Sequence, residues 1–281
     1  MKETNRDPIR SESFNQRGIE LADKGWLDQA MGEFTRAIEL DPSSPFPRIN
    51  RGSVYMEQGV FLEAMEDLIV AIRLSPEEPS AHYHLGVLLA RHGTDLATQE
   101  LHQTLELEPD QVDSFLHLGM IHADRGEFQE AERHFQSALD LDPLDPFVHR
   151  EMGILLMEKD NIHQAISHLK TASEQAPEDI EITVDLATAF IQSGFFNKAQ
   201  QLLLQVIQND PEHLHANYHL AALYADWGKN DQALAHLKTG MAMECSQVQE
   251  WLEEDHMFDK LRADARFGEL LVSSPKQQSR L

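Results

Sequence analysis

In seven successive stretches an alanine is followed four residues later by a large apolar residue: Ala30 and Phe34, Ala64 and Leu68, Ala97 and Leu101, Ala131 and Phe135, Ala165 and Leu169, Ala199 and Leu203, Ala233 and Leu237. Residues four apart share one face of a helix, so each stretch predicts a helix with an apolar stripe. Ahead of each lies another run with apolar residues at helical spacing. These runs close near Gly25, Gly59, Gly93, Gly126, Gly194 and Gly228, where glycine can take the left-handed conformation of a helix C-cap. Asp160 stands in that slot in the fifth unit. Each unit is therefore predicted to be a pair of helices.

Prolines set the period. Pro42, Pro76, Pro109, Pro143, Pro177 and Pro211 follow one another at spacings of 34, 33, 34, 34 and 34. Each closes a second helix, as in AIELDP (37–42), AIRLSP (71–76) and ALDLDP (138–143), because proline has no N–H to donate and clashes with the preceding turn. In phase with them run Gly18, Gly52, Gly86, Gly119 and Gly153, with Ala187 and Ala221 in the last two units. These small residues, with the alanine of the second helix, remove bulk where the two helices touch. The large Phe or Leu then fills the space between neighbouring pairs.

Helices of about 13 residues are marginal alone in water. One pair cannot bury its own stripe, so the pairs must stack and share a core. The units run 11–44, 45–78, 79–111, 112–145, 146–179, 180–213 and 214–247, followed by a polar and apolar capping region at 248–272. Residues 1–10 and 273–281 lack the period and are expected to be disordered. The third unit is one residue short between Gly93 and Ala97, and Thr104 replaces its small alanine. The seventh has Gly240 in an alanine slot and Cys245 in the proline slot, so its register is the least secure.

Composition narrows the partners. With 48 acidic against 23 basic side chains the net charge is −25, and the cationic footprint of a nucleic-acid or anionic-membrane binder is missing. A protein or peptide with a basic or amphipathic face fits better, since complementary charge steers encounter. No apolar run approaches the roughly 20 residues of a membrane span. The polar start and the single cysteine, Cys245, point to a cytoplasmic, reducing location.

The period and the residues of 11–44 (Phe14, Gly18, Leu21, Ala30, Phe34, Ala37, Pro42) resemble the tetratricopeptide repeat, a helix–turn–helix family. The likeness covers residues 11–247. Asp255, Phe258, Leu261, Arg262, Asp264, Arg266 and Phe267 are similar to the tail that often follows the last repeat in that family. The resemblance implies an all-α fold, a right-handed α-solenoid of antiparallel helix pairs whose first helices line a concave groove. It implies protein or peptide binding as the activity. Some family members hold acidic chaperone tails in a carboxylate clamp, but here Asn15, Ile19, Asn50, Ser80 and His84 occupy the relevant slots and only Asn50 matches.

Mapped onto the groove, the first helices place Ile49, Tyr83, Val87, Leu116, Met120, Ile154, Val184 and Tyr218 as an apolar stripe. Beside it lie Asn50, His84, His117, Glu151, Asp185 and His219. An apolar stripe rimmed by polar residues marks a binding surface. His215 and His219 are spaced to face one ion, but no third ligand has motif spacing, so neither a metal nor another cofactor is expected. No Gly-rich phosphate loop, GxSxG, HExxH or CxxC occurs, so no catalysis is expected. The leading expectation is a non-catalytic scaffold that captures a peptide or helix. The alternatives are a self-assembling structural protein and a regulatory or chaperone-like subunit of an enzyme complex.

Overall fold

The computed structural model describes residues 6–90 and 95–273. The shortened turn after Gly93, residues 1–5 and the tail from 274 onward lie outside the described residues. By its internal contacts the chain divides into two compact halves, one ending at Pro143 and one beginning at Leu144.

The N-terminal half holds four pairs: α1 (Pro8–Ala22) with α2 (Leu27–Leu40), α3 (Phe46–Glu57) with α4 (Phe61–Leu74), α5 (Pro79–Ala90) with α6 (Asp95–Leu107), and α7 (Val112–Asp124) with α8 (Phe128–Leu141). Helix α1 begins inside the stretch expected to be disordered. Asp7 caps it by accepting from Arg10 N at 3.1 Å, and Pro8 fills the first turn, where a missing N–H costs nothing. The second helices end where the expected prolines stand. Asp41 (φ −139°) and Ser75 (φ −142°) are extended, as a residue before proline must be.

Within a pair the small slot is a close contact. A Cβ built on Gly18 would lie 2.5 Å from Phe34 Cε1, and one on Gly119 would lie 2.4 Å from Phe135 Cε1. The large residue therefore presses on the glycine of its own pair as well as reaching the next one, where Phe34 joins Val54, Leu68 joins Leu85 and Leu88, and Leu101 joins Leu118 and Ile121. Thr104 is fully buried in its alanine slot and satisfies its hydroxyl by donating to Glu100 O at 3.0 Å.

The C-terminal half holds α9 (Pro146–Glu158) with α10 (Ile162–Gln175), α11 (Ile180–Gln192) with α12 (Phe196–Asn209), and α13 (Leu214–Asp226) with α14 (Asn230–Met243). A cap follows: α15 (Cys245–Glu254), two single 3₁₀ turns (His256–Phe258 and Leu261–Ala263) and α16 (Ala265–Ser273). Asp160 takes the left-handed conformation (φ 57°) of the missing glycine, and Asn161 N still closes the helix on Leu156 O at 2.8 Å. The seventh pair ends without proline. Glu244 is extended (φ −139°) like its counterparts, and Cys245 opens the cap helix, three residues before the expected boundary at 248.

The tail residues singled out in the sequence build this cap. Phe258, Leu261 and Phe267 are buried, Arg262 donates to Leu252 O at 2.7 Å, and Asp264 accepts from Arg266 at 2.7 Å and from Asn230 at 3.0 Å. That network holds the Asp264 carboxyl below the ordinary carboxylate range. Among the described residues every regular element is helical, and no helix is long and apolar enough to cross a membrane.

Candidate functional site

The first helices of successive pairs touch each other in both halves, which brings the singled-out residues together in two groups. In the N-terminal half Asn50 Nδ2 donates to Asn15 Oδ1 at 2.9 Å, joining α3 to α1. The Tyr83 ring lies 5.3 Å from His84 and 5.9 Å from His117, joining α5 to α7. Burial lowers the pKa of both histidines, with Asp113 opposing the shift at His117, which favours the neutral imidazole at both positions. Burial, then Asp113, pushes the Tyr83 hydroxyl up to about 12.

In the C-terminal half Arg150 Nε meets Asp185 Oδ2 at 2.6 Å, joining α9 to α11. Asp185 is thus engaged rather than offered to a partner; burial raises its pKa although Arg150 pulls the other way. Thr188 donates to Val184 O at 2.9 Å, which leaves its hydroxyl oxygen to accept from His219 Nε2 at 3.2 Å. Burial, then His215, pushes His219 down to about 4, so it is neutral at physiological pH.

Of the fourteen residues mapped onto and beside the groove, eleven are half-buried: Asn50, Tyr83, His84, Val87, Leu116, His117, Met120, Glu151, Ile154, Asp185 and His219. Three are buried. Ile49 packs with Ala71 and Ala81, and Val184 and Tyr218 belong to the large C-terminal core. For these three, packing against neighbouring helices closes over a position that helical spacing alone leaves open.

Tyr218 also marks what the sequence did not announce. Its hydroxyl donates to Asp255 Oδ2 at 2.9 Å, and its ring lies 5.0 Å from Trp251 and 5.5 Å from Phe258. Between α13 and α15 this leaves a cavity of about 830 Å³ lined by His215, Tyr218, His219, Trp251, Asp255 and three glutamates, Glu250, Glu253 and Glu254. The available signal was the stretch WLEED (251–255), read only as part of the cap. His213 accepts from Ala216 N and contacts Glu181, and its ring lies 6.4 Å from that of His215. Among the described residues no group of three or more His, Cys, Asp or Glu is placed to hold a metal ion.

With this geometry in view, comparison with known proteins is specific. Models described as tetratricopeptide repeat match residues 112–145, 156–210 and 184–240, and one described as TPR repeat matches 52–93. The human tetratricopeptide repeat protein 13 is 29% identical over 114 residues, which is 40% of this chain and 13% of that protein, so the chain matches only a small part of this curated relative. Among solved structures, the APC/C hetero-tetramer Cut9–Hcn1 has a chain superposing with a TM-score of 0.72 at 18% identity, covering 96% of this chain and 49% of that one. PilF of Pseudomonas aeruginosa superposes at 0.65 with 16% identity, over 79% of this chain and 98% of that one. The likeness shows an all-α repeat solenoid. The chain is a member of the tetratricopeptide repeat family.

Proposed function

We propose that the protein is a non-catalytic interaction scaffold, cytoplasmic in location, that holds a peptide or amphipathic helix of another protein against its first helices. The reading rests on α5 (PSAHYHLGVLLA), which is apolar around nearly its whole circumference. A helix of that kind is covered on all sides when its partners are present. Here Tyr83, His84 and Val87 remain half-buried. Leu116, His117 and Met120 repeat the arrangement on α7. An apolar strip with a neutral polar rim suits helix-in-groove or extended-peptide capture. The acidic surface favours a partner with basic residues.

The test is the double substitution Tyr83→Ala with Leu116→Ala, compared with the unaltered protein by quantitative affinity capture from the native lysate. Truncating two anchors of one interface is expected to reduce recovery of the specific partner by about tenfold or more. Circular dichroism and the melting temperature report that the fold is kept. Undiminished recovery by a folded variant would remove this face from the interaction.

A further inference from the structure

We propose that the cavity between α13 and α15 receives the guanidinium of an arginine from a partner polypeptide, stacked on Trp251 and paired with the carboxylates of Glu250 and Glu254. This deepens the scaffold reading and rests on it, because Tyr218 and His219 belong both to the first-helix face and to the cavity.

Three observations carry it. First, the lining is chemically one-sided: aromatic walls and four carboxylates, with no lysine or arginine among the lining residues. Its half-buried imidazole, His219, is neutral at physiological pH, because its partial burial disfavours the charged form. Second, Glu250, Glu253 and Glu254 are exposed, and among the described residues no basic side chain pairs with them. The basic residues of the cap are committed elsewhere. Arg262 donates to the carbonyls of Leu252 and Asp255, Lys260 pairs with Asp226, and Arg266 pairs with Asp264 and Asp231. Third, the aromatic groups are held in place. Tyr218 meets Trp251 edge-on at 5.0 Å and 69°, His215 lies 5.0 Å from the same indole, and the Tyr218 hydroxyl is fixed on Asp255. A rigid indole beside unpaired carboxylates offers a cation both a π face and a counter-charge. Arginine exploits both better than lysine, because its planar fork stacks, bonds two oxygens at once and sheds water more readily.

The test uses the full chain labelled with ¹⁵N and follows the indole signal of Trp251, one of three tryptophans. The probe is a blocked pentapeptide, Gly-Gly-Arg-Gly-Gly, set against versions with lysine and with citrulline, the uncharged analogue of arginine. The arginine peptide is expected to shift the Trp251 signal saturably, the lysine peptide to bind at least about threefold more weakly, and citrulline to bind not at all. Glu250→Gln with Glu254→Gln should abolish the shift, whereas Glu77→Gln with Glu178→Gln, on exposed turns elsewhere, should leave it intact. Both pairs change surface carboxylates, so the fold is preserved in each.

Equal binding of citrulline, or equal losses in the two glutamine pairs, would overturn the proposal in favour of non-specific attraction. A Trp251 signal that moves with protein concentration alone would assign the cavity to a second copy. A signal that moves when Lys276 and Arg280 are replaced by alanine, without peptide, would assign it to the chain's own tail. Either result overturns the proposal. The scaffold reading fails separately. If Tyr83→Ala with Leu116→Ala leaves capture unchanged while the arginine peptide still binds, the cavity stands and the wider face does not.

Discussion

The first three helix pairs and the last two with their cap meet the same packing demand with different materials. Early in the chain the buried apolar residues gather in small separate groups, such as Ala30–Phe34–Val54 and Ala64–Leu68–Leu85–Leu88. Charged groups sit between them. Asp67 is buried and takes Arg51 through two bonds of 2.7 and 2.9 Å and Arg48 at 3.1 Å, while buried Glu33 holds Arg36 at 2.7 Å. Both ring nitrogens of buried His82 face acceptors, Glu100 Oε2 at 2.5 Å and Pro76 O at 3.0 Å. Late in the chain one continuous group runs from Ile166 to Phe267 and includes the cap. Its buried Asn217 is satisfied by the carbonyls of Pro211 and His213 and by His236. The repeat pattern thus prescribes the contact inside a pair and leaves the surface between pairs free to be ionic or apolar.

The sharpest way to break this comparison is one substitution in each region. Phe258→Ala empties a fully buried site of the cap and is expected to cost about 3–5 kcal/mol. Because its core is continuous, native-state hydrogen exchange should lose protection together across α11 to α16. Asp67→Ala strands two arginines and is expected to cost about 3 kcal/mol. Its loss of protection should stay within α2 to α4. Losses spread equally far in the two variants would mean that the segmented and continuous cores do not differ in cooperativity.

Acid probes both regions at once. Burial lowers the pKa of His84, His117 and His134 in one half and of His168, His219 and His236 in the other, with His134 and His219 at about 4. The unfolded chain then binds more protons than the folded one below its ordinary histidine pKa. Stability is therefore full above pH 6.5 and falls as the pH drops toward 4. Asp185, whose pKa is raised, works in the opposite direction. His219→Gln should flatten the curve by on the order of 3 kcal/mol between those limits, as read from urea melts at each pH. An unchanged slope would show that His219 titrates alike in both states.

The smallest effects come from repairing two departures from the pattern. Asp160→Gly relieves a left-handed non-glycine residue, and Gly240→Ala adds a methyl whose nearest neighbours would lie at 3.6 and 3.7 Å, ordinary contact. Each should raise stability by about 0.5–1 kcal/mol, seen as a higher melting temperature. A loss in either would mean that the departure serves its local packing.

The pairs were legible because their determinants are local and steric: a left-handed C-cap, a proline stop, a glycine under a ring. Asp160 could be placed in a glycine slot before its φ was known for the same reason. The start of α1 is also written in the sequence, as Asp7–Pro8, but lies outside the period that sets the pairs. Surface assignment was less legible. Ile49, Val184 and Tyr218 share helical register with residues that stay half-buried, and only the packing of neighbouring helices decides between them. Trp251 and Glu254 had no periodic signature, because their cavity arises where a non-repeating segment docks on α13.

The contact of Phe34 on Gly18 and of Phe135 on Gly119 also limits how the copies of this repeat can be exchanged by recombination. The sixth and seventh pairs carry Ala187 and Ala221 in the same slot, matched to Leu203 and Leu237. A hybrid joining the first helix of the sixth pair to the second helix of the fourth would set a methyl against a phenyl ring. The two positions must therefore change in order, the ring giving way to leucine before glycine can become alanine. Gly52, where a Cβ would meet Leu68 Cγ at 3.1 Å, is the glycine nearest to making that step. Repeats with the same backbone are in this sense not interchangeable, since those with Phe34 and Phe135 need glycine in the first helix while those with Leu203 and Leu237 accept alanine.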